Sequence, residues 1–259
     1  MEYKKDYLAS RVISFGKELD DYSKIYFSSN EDLVSMYRDI DFLDKEVLSV
    51  MASSDQIFTS NYLGARNTDS FDKNVLALYY YYLRRWTVNI SHEVYPFKLL
   101  DNDYNWLRNL LSKVKPSTDN ETYALLFWTR HLENETDFEG LFYKDDREGK
   151  VIYKTVNPLL EVVDREPNFR TMNIFSRVEL PKTYDIIISS NILEWARGDS
   201  KKIITVRDNF NRILNSNGIV LCSSLIDRPK EKHDEERTMF SKYFVREDHG
   251  KSGYVYRKK

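Results

Sequence analysis

Two places in this sequence, each at the end of a predicted strand, contain residue types that bind small polar ligands. Ser53-Ser54-Asp55-Gln56 comes directly after VLSVMA, and Asp72 ends NTDSFD. Asp72 lies 17 residues after Asp55, the separation expected for one helix and one strand. We therefore predict two parallel strands that end at one edge of a sheet. That edge is where open α/β sheets bind ligands.

The first stretch precedes a predicted helix over residues 55–64, with Gly64 as its C′ residue. The amino end of a helix has free N–H groups and a partial positive charge, which suit a carboxylate. Ser53, Ser54 and Asp55 are short polar residues that fit such a contact. They fit a simple helix cap as well, so both interpretations stay open at this point.

Asp72 adds a second chemical group at the same edge. A carboxylate at the end of the second strand is placed to accept hydrogen bonds from the two hydroxyls of a ribose. The alternatives are a surface turn residue and a helix cap. The sequence contains neither GxGxxG nor GxxxxGK[ST], which argues against a dinucleotide or nucleoside triphosphate. A nucleoside with a small charged tail fits better, and S-adenosylmethionine has that form.

The order of the strands and helices that would position these residues predicts an α/β fold. We expect a Rossmann-like doubly wound sheet with a C-terminal antiparallel hairpin at its edge. We expect an N-terminal helical segment over residues 1–44 and a sheet domain over 45–259, with a mostly helical insertion at about 91–166. The predicted strands cover residues 46–52, 67–72, 168–175, 183–195 and 219–225. In the fourth of these, the apolar run Ile186-Ile187-Ile188 ends at Ser189-Ser190-Asn191. The main helices cover 73–90, 200–218 (stopped by Asn217-Gly218) and 235–243.

Composition narrows the class of protein. The 259 residues are 41% hydrophobic and 31% charged, enough to build a core, and the formal net charge is −2. No basic run or stripe predicts nucleic-acid binding. No apolar window reaches the ~18 residues of a membrane span, and the start lacks an apolar signal-peptide core, so a cytoplasmic location is expected.

Other common catalytic chemistries lack their motifs. His92, His131, His233 and His249 show no metal-ligand spacing, so no metal site is predicted. Cys222 is the one cysteine and lies in a predicted buried strand. The G-x-S-x-G turn of a serine hydrolase is absent.

The stretch 47–74 resembles the S-adenosylmethionine-binding segment of the betaine-lipid-type 3-amino-3-carboxypropyl transferases and their uncharacterised bacterial relatives. That family carries VLSV-x-x-SGDQ, then GA, then FDIN, where this chain has VLSVMASSDQ, GA and FDKN. YFSSNEDL is similar to a polar TNE element of the family, and YDIIISSNILEW looks like the fourth strand of class I methyltransferases. The resemblance covers about half of the chain.

The resemblance implies a role for each matching residue. Ser53, Ser54, Asp55 and Gln56 would hold the methionine part of the cofactor, Asp72 the ribose, and Asn173 the region of the adenine. Ser190, Asn191 and Glu194 would line the floor near the acceptor. Ser54 replaces a family glycine, which lets the backbone approach a ligand closely.

The predicted activity is transfer of a 3-amino-3-carboxypropyl or methyl group, the former favoured by the resemblance, to a small-molecule or lipid-headgroup acceptor. A general base assists if the acceptor is a hydroxyl, and Glu31, Glu194 and Tyr26 are the candidates. Both glutamates also fit as first-turn helix carboxylates. The alternative function is a non-catalytic binding or scaffold module on the same fold. The missing glycine motif argues against a nucleotide-binding oxidoreductase. The sequence leaves the oligomeric state open.

Overall fold

The computed structural model describes residues 33–37, 39–91, 103–133, 141, 166–196, 198–223, 230–249 and 253–259. Within these residues the chain forms seven strands and eight helices. The strands are β1 Glu46–Val50, β2 Asn67–Asp72, β3 Asn168–Thr171, β4 Tyr184–Ser190, β5 Leu214–Ser223, β6 Phe244–His249 and β7 Gly253–Lys258. The helices are α1 Leu33–Tyr37, α2 Asp55–Tyr62, α3 Leu76–Ser91, α4 Tyr104–Leu111, α5 Asp119–His131, α6 Ile192–Trp195, α7 Ser200–Ile213 and α8 Lys230–Phe240.

All seven strands form one sheet in the order β3-β2-β1-β4-β5-β7-β6. The strands β3, β2, β1, β4 and β5 pair in parallel. The chain therefore builds outward from β1 in one direction through β2 and β3, and then in the other through β4 and β5. This reversal between β1 and β4 defines a doubly wound α/β fold, which confirms the predicted fold class.

The C-terminal antiparallel hairpin lies at the edge of the sheet, as predicted, and the later of its two strands takes the inner position. β7 pairs antiparallel with both β5 and β6, so it lies between them. β7 buries Tyr254, Val255 and Tyr256. β6 carries Arg246-Glu247-Asp248, and charged residues are typical of an edge strand. The difference in side chains explains why the later strand takes the inner position.

Apolar side chains cover both faces of the sheet, as expected for parallel strands. Val47 and Leu48 point to opposite faces because side chains alternate along a strand. Leu48 packs in a cluster with Phe210 of α7 and Phe240 of α8. Val47 packs in a second cluster, which includes Met36 and Tyr37 of α1 and the strand residues Ile186, Ile188, Ile219 and Leu221.

The predicted helix over 200–218 is too long, because α7 ends at Ile213 and β5 begins at Leu214. The Leu214 side chain is buried, and its residue pairs with Tyr184 of β4. The register between β4 and β5 then shifts before Ile219. Gly218 lies in this irregular part of the strand, where a Cβ would be 3.0 Å from the Asp185 carbonyl oxygen. Its role is close packing, not termination of a helix.

The chain divides into two compact units. The sheet unit comprises residues 29–51, 55–73 and 165–259, and the helical unit comprises 1–28, 52–54 and 74–164. Within the helical unit, α3 packs on α5 through aromatic side chains. The Trp128 indole N–H donates a 2.8 Å hydrogen bond to the Tyr79 carbonyl oxygen, and the Tyr80 and Trp128 rings meet edge to face.

Glu236 of α8 ties the C-terminal hairpin to the rest of the sheet unit. Its carboxylate is 1% exposed and accepts hydrogen bonds from the Tyr254 hydroxyl at 2.9 Å and the Tyr256 hydroxyl at 3.0 Å. We predict that Glu236→Leu lowers the free energy of unfolding by about 2–4 kcal/mol, because two buried hydroxyls lose their acceptor. Urea denaturation followed by circular dichroism measures this change.

Tyr254→Phe is the matched control, since it removes one donor and leaves the carboxylate bonded to Tyr256. We expect a loss of about 1 kcal/mol. If Glu236→Leu costs no more than the control, the hairpin does not depend on this carboxylate.

An ionic cluster at the amino edge of the sheet predicts how stability depends on pH. Burial alone raises the pKa of Glu46, but hydrogen bonds from Lys182 and Asn67 outweigh it and lower the pKa below its ordinary 4.5. Burial likewise raises the pKa of Asp185, while bonds from the Glu46 backbone N–H and from Asn215 bring it below 3.8. Both groups are therefore more acidic in the folded state than in the unfolded state.

A lowered folded-state pKa stabilises the fold above the unfolded-state pKa, and this contribution is lost as the pH falls through the folded-state value. We expect the free energy of unfolding to decrease between about pH 5 and pH 3, and to decrease less steeply in Glu46→Gln. Urea titrations at each pH measure both slopes. Equal slopes for the wild type and the variant would contradict this assignment.

Candidate functional site

The strand order reverses between β1 and β4, and the carboxyl edge of the sheet unit lies at the C-terminal ends of these strands. The Met51 N–H donates to the Phe71 carbonyl oxygen at 2.8 Å, so Met51 lies level with Asp72. Ser49 pairs with Ile188, which puts Ser190 level with Met51 on the other side. Adjacent strands lie about 4.8 Å apart, so the Asp72 and Ser190 backbones are about 10 Å apart across Met51.

Asp72 is the last residue of β2, as predicted. Its carbonyl oxygen accepts a 2.8 Å hydrogen bond from the Met172 N–H, which fixes its backbone to the chain that leaves β3. The residue is half-buried. The Asp72 carboxylate therefore belongs to a part of the backbone at the sheet edge that is hydrogen-bonded to the neighbouring segments on both sides.

Ser190 ends β4 in a strained conformation. Its φ is +50°, in the left-handed region that favours glycine, and its side chain is buried. The register with β5 shifts just before it, and Asn191 forms the turn into α6. Strained residues of this kind persist where the surrounding structure holds them, and they concentrate at functional sites.

Ser189 holds the end of β4 against β5. Its hydroxyl donates to the Leu221 carbonyl oxygen at 3.2 Å and lies 3.1 Å from the Cys222 sulfur. Burial raises the pKa of the Cys222 thiol far above its ordinary value. The thiol therefore stays protonated and serves packing, not nucleophilic chemistry.

Helix α2 starts at Asp55, directly after the turn that follows β1. Asp55 and Gln56 are both buried. The helix rests on β2 through polar contacts, because the Thr68 hydroxyl donates to the Asn61 side chain at 2.7 Å and lies 3.0 Å from the Ser60 hydroxyl. These bonds fix α2 relative to the strand that carries Asp72.

Gly64 ends this helix as predicted. Its φ is +93°, and its N–H donates to the Asn61 carbonyl oxygen. A Cβ at this position would also lie 3.3 Å from a methyl carbon of Leu43. Both the backbone conformation and the close contact favour glycine.

Asn173 occupies a local turn after β3. Its side-chain oxygen accepts from the Phe175 N–H at 3.0 Å, and its carbonyl oxygen accepts from the Ser176 N–H. This turn ends the third strand at Thr171 instead of the predicted residue 175, because asparagine favours such turns over extended backbone. The side chain is exposed, and its role beside an adenine stays a prediction.

Ser53 and Ser54 lie in the helical unit. Both are buried, and the Ser53 carbonyl oxygen accepts a hydrogen bond from the Arg84 guanidinium. Ala52 and Ser54 have φ of +41° and +73°, conformations that cost non-glycine residues about 1–2 kcal/mol each. A glycine, which the family that this stretch resembles carries at the position of Ser54, would adopt this backbone conformation without that cost. The Ser54 hydroxyl has no hydrogen-bond partner within the described part of the chain.

Of the three predicted general bases, Glu31 and Tyr26 lie outside the described residues, and Glu194 lies in α6. Arg84 is the residue that sequence reasoning missed. It lies 31 residues from Ser53 on a helix that reads as core, so no spacing rule connects the two.

The residues that the structure describes contain no group of three or more His, Cys, Asp or Glu side chains arranged to hold a metal ion. They also contain no helix that has the length and apolar character needed to span a bilayer.

Among solved structures, this chain is similar to several methyltransferases at low TM-scores. No family model matches the sequence, and no curated protein matches it. The N-methyltransferase NodS from Bradyrhizobium japonicum superposes with a TM-score of 0.43 at 8% identity, over 87% of this chain and 91% of NodS. NodS in complex with S-adenosyl-L-homocysteine superposes with a TM-score of 0.41 at 8% identity, over 87% and 83%.

A ribosomal protein L11 methylase from Lactobacillus delbrueckii gives a TM-score of 0.41 at 10% identity, over 91% of this chain and 81% of that one. With TM-scores this low, the superpositions add nothing to the strand order and pairing on which the fold assignment depends. By that strand order, the chain is a Rossmann-like α/β protein with a doubly wound seven-stranded sheet.

Proposed function

We propose that this protein is an S-adenosylmethionine-dependent transferase whose cofactor binds at the carboxyl edge of the sheet unit. One observation carries the proposal: Asp72 and Ser190 flank Met51 at the point where the strand order reverses. Doubly wound folds bind nucleosides at this point, with an acidic residue at the end of the second strand accepting from the ribose hydroxyls.

The side chains of the sheet unit suit the chemistry of this cofactor. Its amino-acid tail carries one carboxylate and one ammonium group. The partial positive charge at the amino end of α2 suits the carboxylate, and the Asp55 side chain suits the ammonium. In the proposal Gln56 assists at the same end, Asp72 holds the ribose and Asn173 borders the adenine. Ser53 and Ser54 stay predictions of the family resemblance.

The bound cofactor supplies a carbon already activated by the positive charge of sulfur. The protein therefore has mainly to orient the reactants. In the proposal, the Ser190-Asn191 turn fixes the position of the acceptor, because the chain passes from β4 into α6 there with a positive φ at Ser190. Glu194, Glu31 and Tyr26 remain the proposed bases for a hydroxyl acceptor. The acceptor class is a small molecule or a lipid headgroup.

We predict micromolar binding of S-adenosylmethionine to the wild type, measured by isothermal titration calorimetry. Asp72→Asn removes the charged acceptor for two ribose hydroxyls, and each such bond contributes about 1.5–3 kcal/mol. The dissociation constant should therefore rise at least about tenfold. No heat from the wild type at millimolar cofactor would overturn the transferase proposal and favour a non-catalytic module.

Asp69→Asn is the matched control for this titration. Asp69 lies on the same strand, accepts a 2.7 Å bond from the Tyr184 hydroxyl and faces Lys182 at the amino edge. The substitution changes the charge equally but away from the proposed site, so a folded Asp69→Asn protein should bind with the affinity of the wild type. An equal loss in both variants would assign the effect of Asp72 to net charge or folding.

The nucleoside product identifies which group the protein transfers. Aminocarboxypropyl transfer releases methylthioadenosine, and methyl transfer releases adenosylhomocysteine. The family resemblance favours the first. We expect methylthioadenosine to accumulate when the protein is incubated with S-adenosylmethionine and a cell extract of small molecules, as measured by mass spectrometry. Adenosylhomocysteine in its place would make the protein a methyltransferase, and Asp72→Asn is the control for background breakdown.

A further inference from the structure

Arg84 is a charged side chain buried inside the helical unit. It lies on α3 and is 1% exposed. Its Nη1 donates to the backbone carbonyl oxygen of Ser53, and its guanidinium carbon lies 6.0 Å from the centre of the Tyr80 ring. Removing a guanidinium from water costs free energy, so a buried arginine is stable only where hydrogen bonds compensate for this cost. A backbone carbonyl in a turn is an acceptor that no change of side chain can remove.

The turn that receives this hydrogen bond is strained on both sides of the contact. Ala52 and Ser54 both have positive φ and flank Ser53. Neither residue is glycine, so the turn has to be held in place by its surroundings. The Ser54 hydroxyl does not hold it, because this oxygen bonds to nothing in the described part of the chain. The Arg84 guanidinium contacts the middle residue of the three.

We propose that Arg84 is a positioning residue that fixes the 52–54 turn and thereby the peptide link into Asp55. This inference rests on the proposed function, which gives the amino end of α2 to the amino-acid tail of S-adenosylmethionine. Without the guanidinium, the strained turn relaxes toward ordinary backbone conformations. Asp55 follows Ser54 directly in the chain, and the peptide group that joins them is planar, so a change in the ψ angle of Ser54 changes the direction of the Asp55 N–H.

A purely structural role is the competing explanation, and Arg85 provides the control for it. Arg85 is the next residue on α3 and forms a 3.5 Å ion pair with Glu121 of α5. Arg84→Met and Arg85→Met are the same substitution at adjacent positions of one helix. The first removes the contact with the turn, and the second removes the ion pair with Glu121. A general effect on the helical unit appears in both variants, whereas an effect on the turn appears in Arg84→Met alone.

The experiment combines hydrogen–deuterium exchange of the peptide over residues 50–57 with calorimetric titration of S-adenosylmethionine. We expect Arg84→Met to speed exchange in this peptide and to raise the dissociation constant at least about tenfold. Arg84→Lys, which keeps a donor for the single carbonyl, should raise it less than about threefold. Arg85→Met should leave both the exchange of this peptide and the affinity unchanged.

The proposal is overturned if folded Arg84→Met keeps wild-type exchange in residues 50–57, or if Arg85→Met produces the same changes. Arg84→Gln replaces Arg84→Met under the same criteria if the methionine variant does not fold. A wild type that does not bind S-adenosylmethionine overturns the proposed function instead. In that case the exchange measurement alone decides whether Arg84 fixes the turn.

Discussion

The parallel pairing of β1 with both β2 and β4 is the constraint on which the rest of the sheet unit depends. A parallel neighbour has to be reached by a right-handed crossover, so strands added on opposite sides of β1 place their helices on opposite faces. The two sets of crossovers diverge where β1 meets β4, and they leave the carboxyl edge open there. Asp72 and Ser190 owe their positions to this reversal, because each ends a strand that pairs directly with β1.

The amino and carboxyl edges of the sheet differ in the interactions of the residues found there. At the amino edge, Lys182 contacts Glu46 at 2.8 Å and Asp69 at 3.1 Å, and the Tyr184 hydroxyl bonds to Asp69. These pairs compensate one another and stabilise the fold. At the carboxyl edge, β4 ends in the strained Ser190. The proposal places function at the carboxyl edge because the strand order reverses there, between β1 and β4, and because Asp72 ends the strand next to β1.

Much of the fold follows from local sequence. β2 has the predicted bounds and β1 lies within its prediction, because Val47, Leu48 and Val50 form a short apolar run in β1 and Asp72 closes the NTDSFD segment of β2. The bounds of α7 and the inner position of β7 did not follow, since both depend on which strand offers a partner to Leu214 or Tyr256. The contact of Arg84 with Ser53 is likewise tertiary. Sequence reasoning placed Asp72 and Ser190 at strand ends, but it had no means to find the group that holds the turn before α2.

A crystal structure of the protein grown with S-adenosylhomocysteine would test the central claim most directly. The account predicts density for the nucleoside at the carboxyl edge of the sheet unit, with the ribose hydroxyls within hydrogen-bond distance of Asp72 and the sulfur toward Ser190. Density at any other place on the sheet, or a ligand that leaves Asp72 uncontacted, would contradict it.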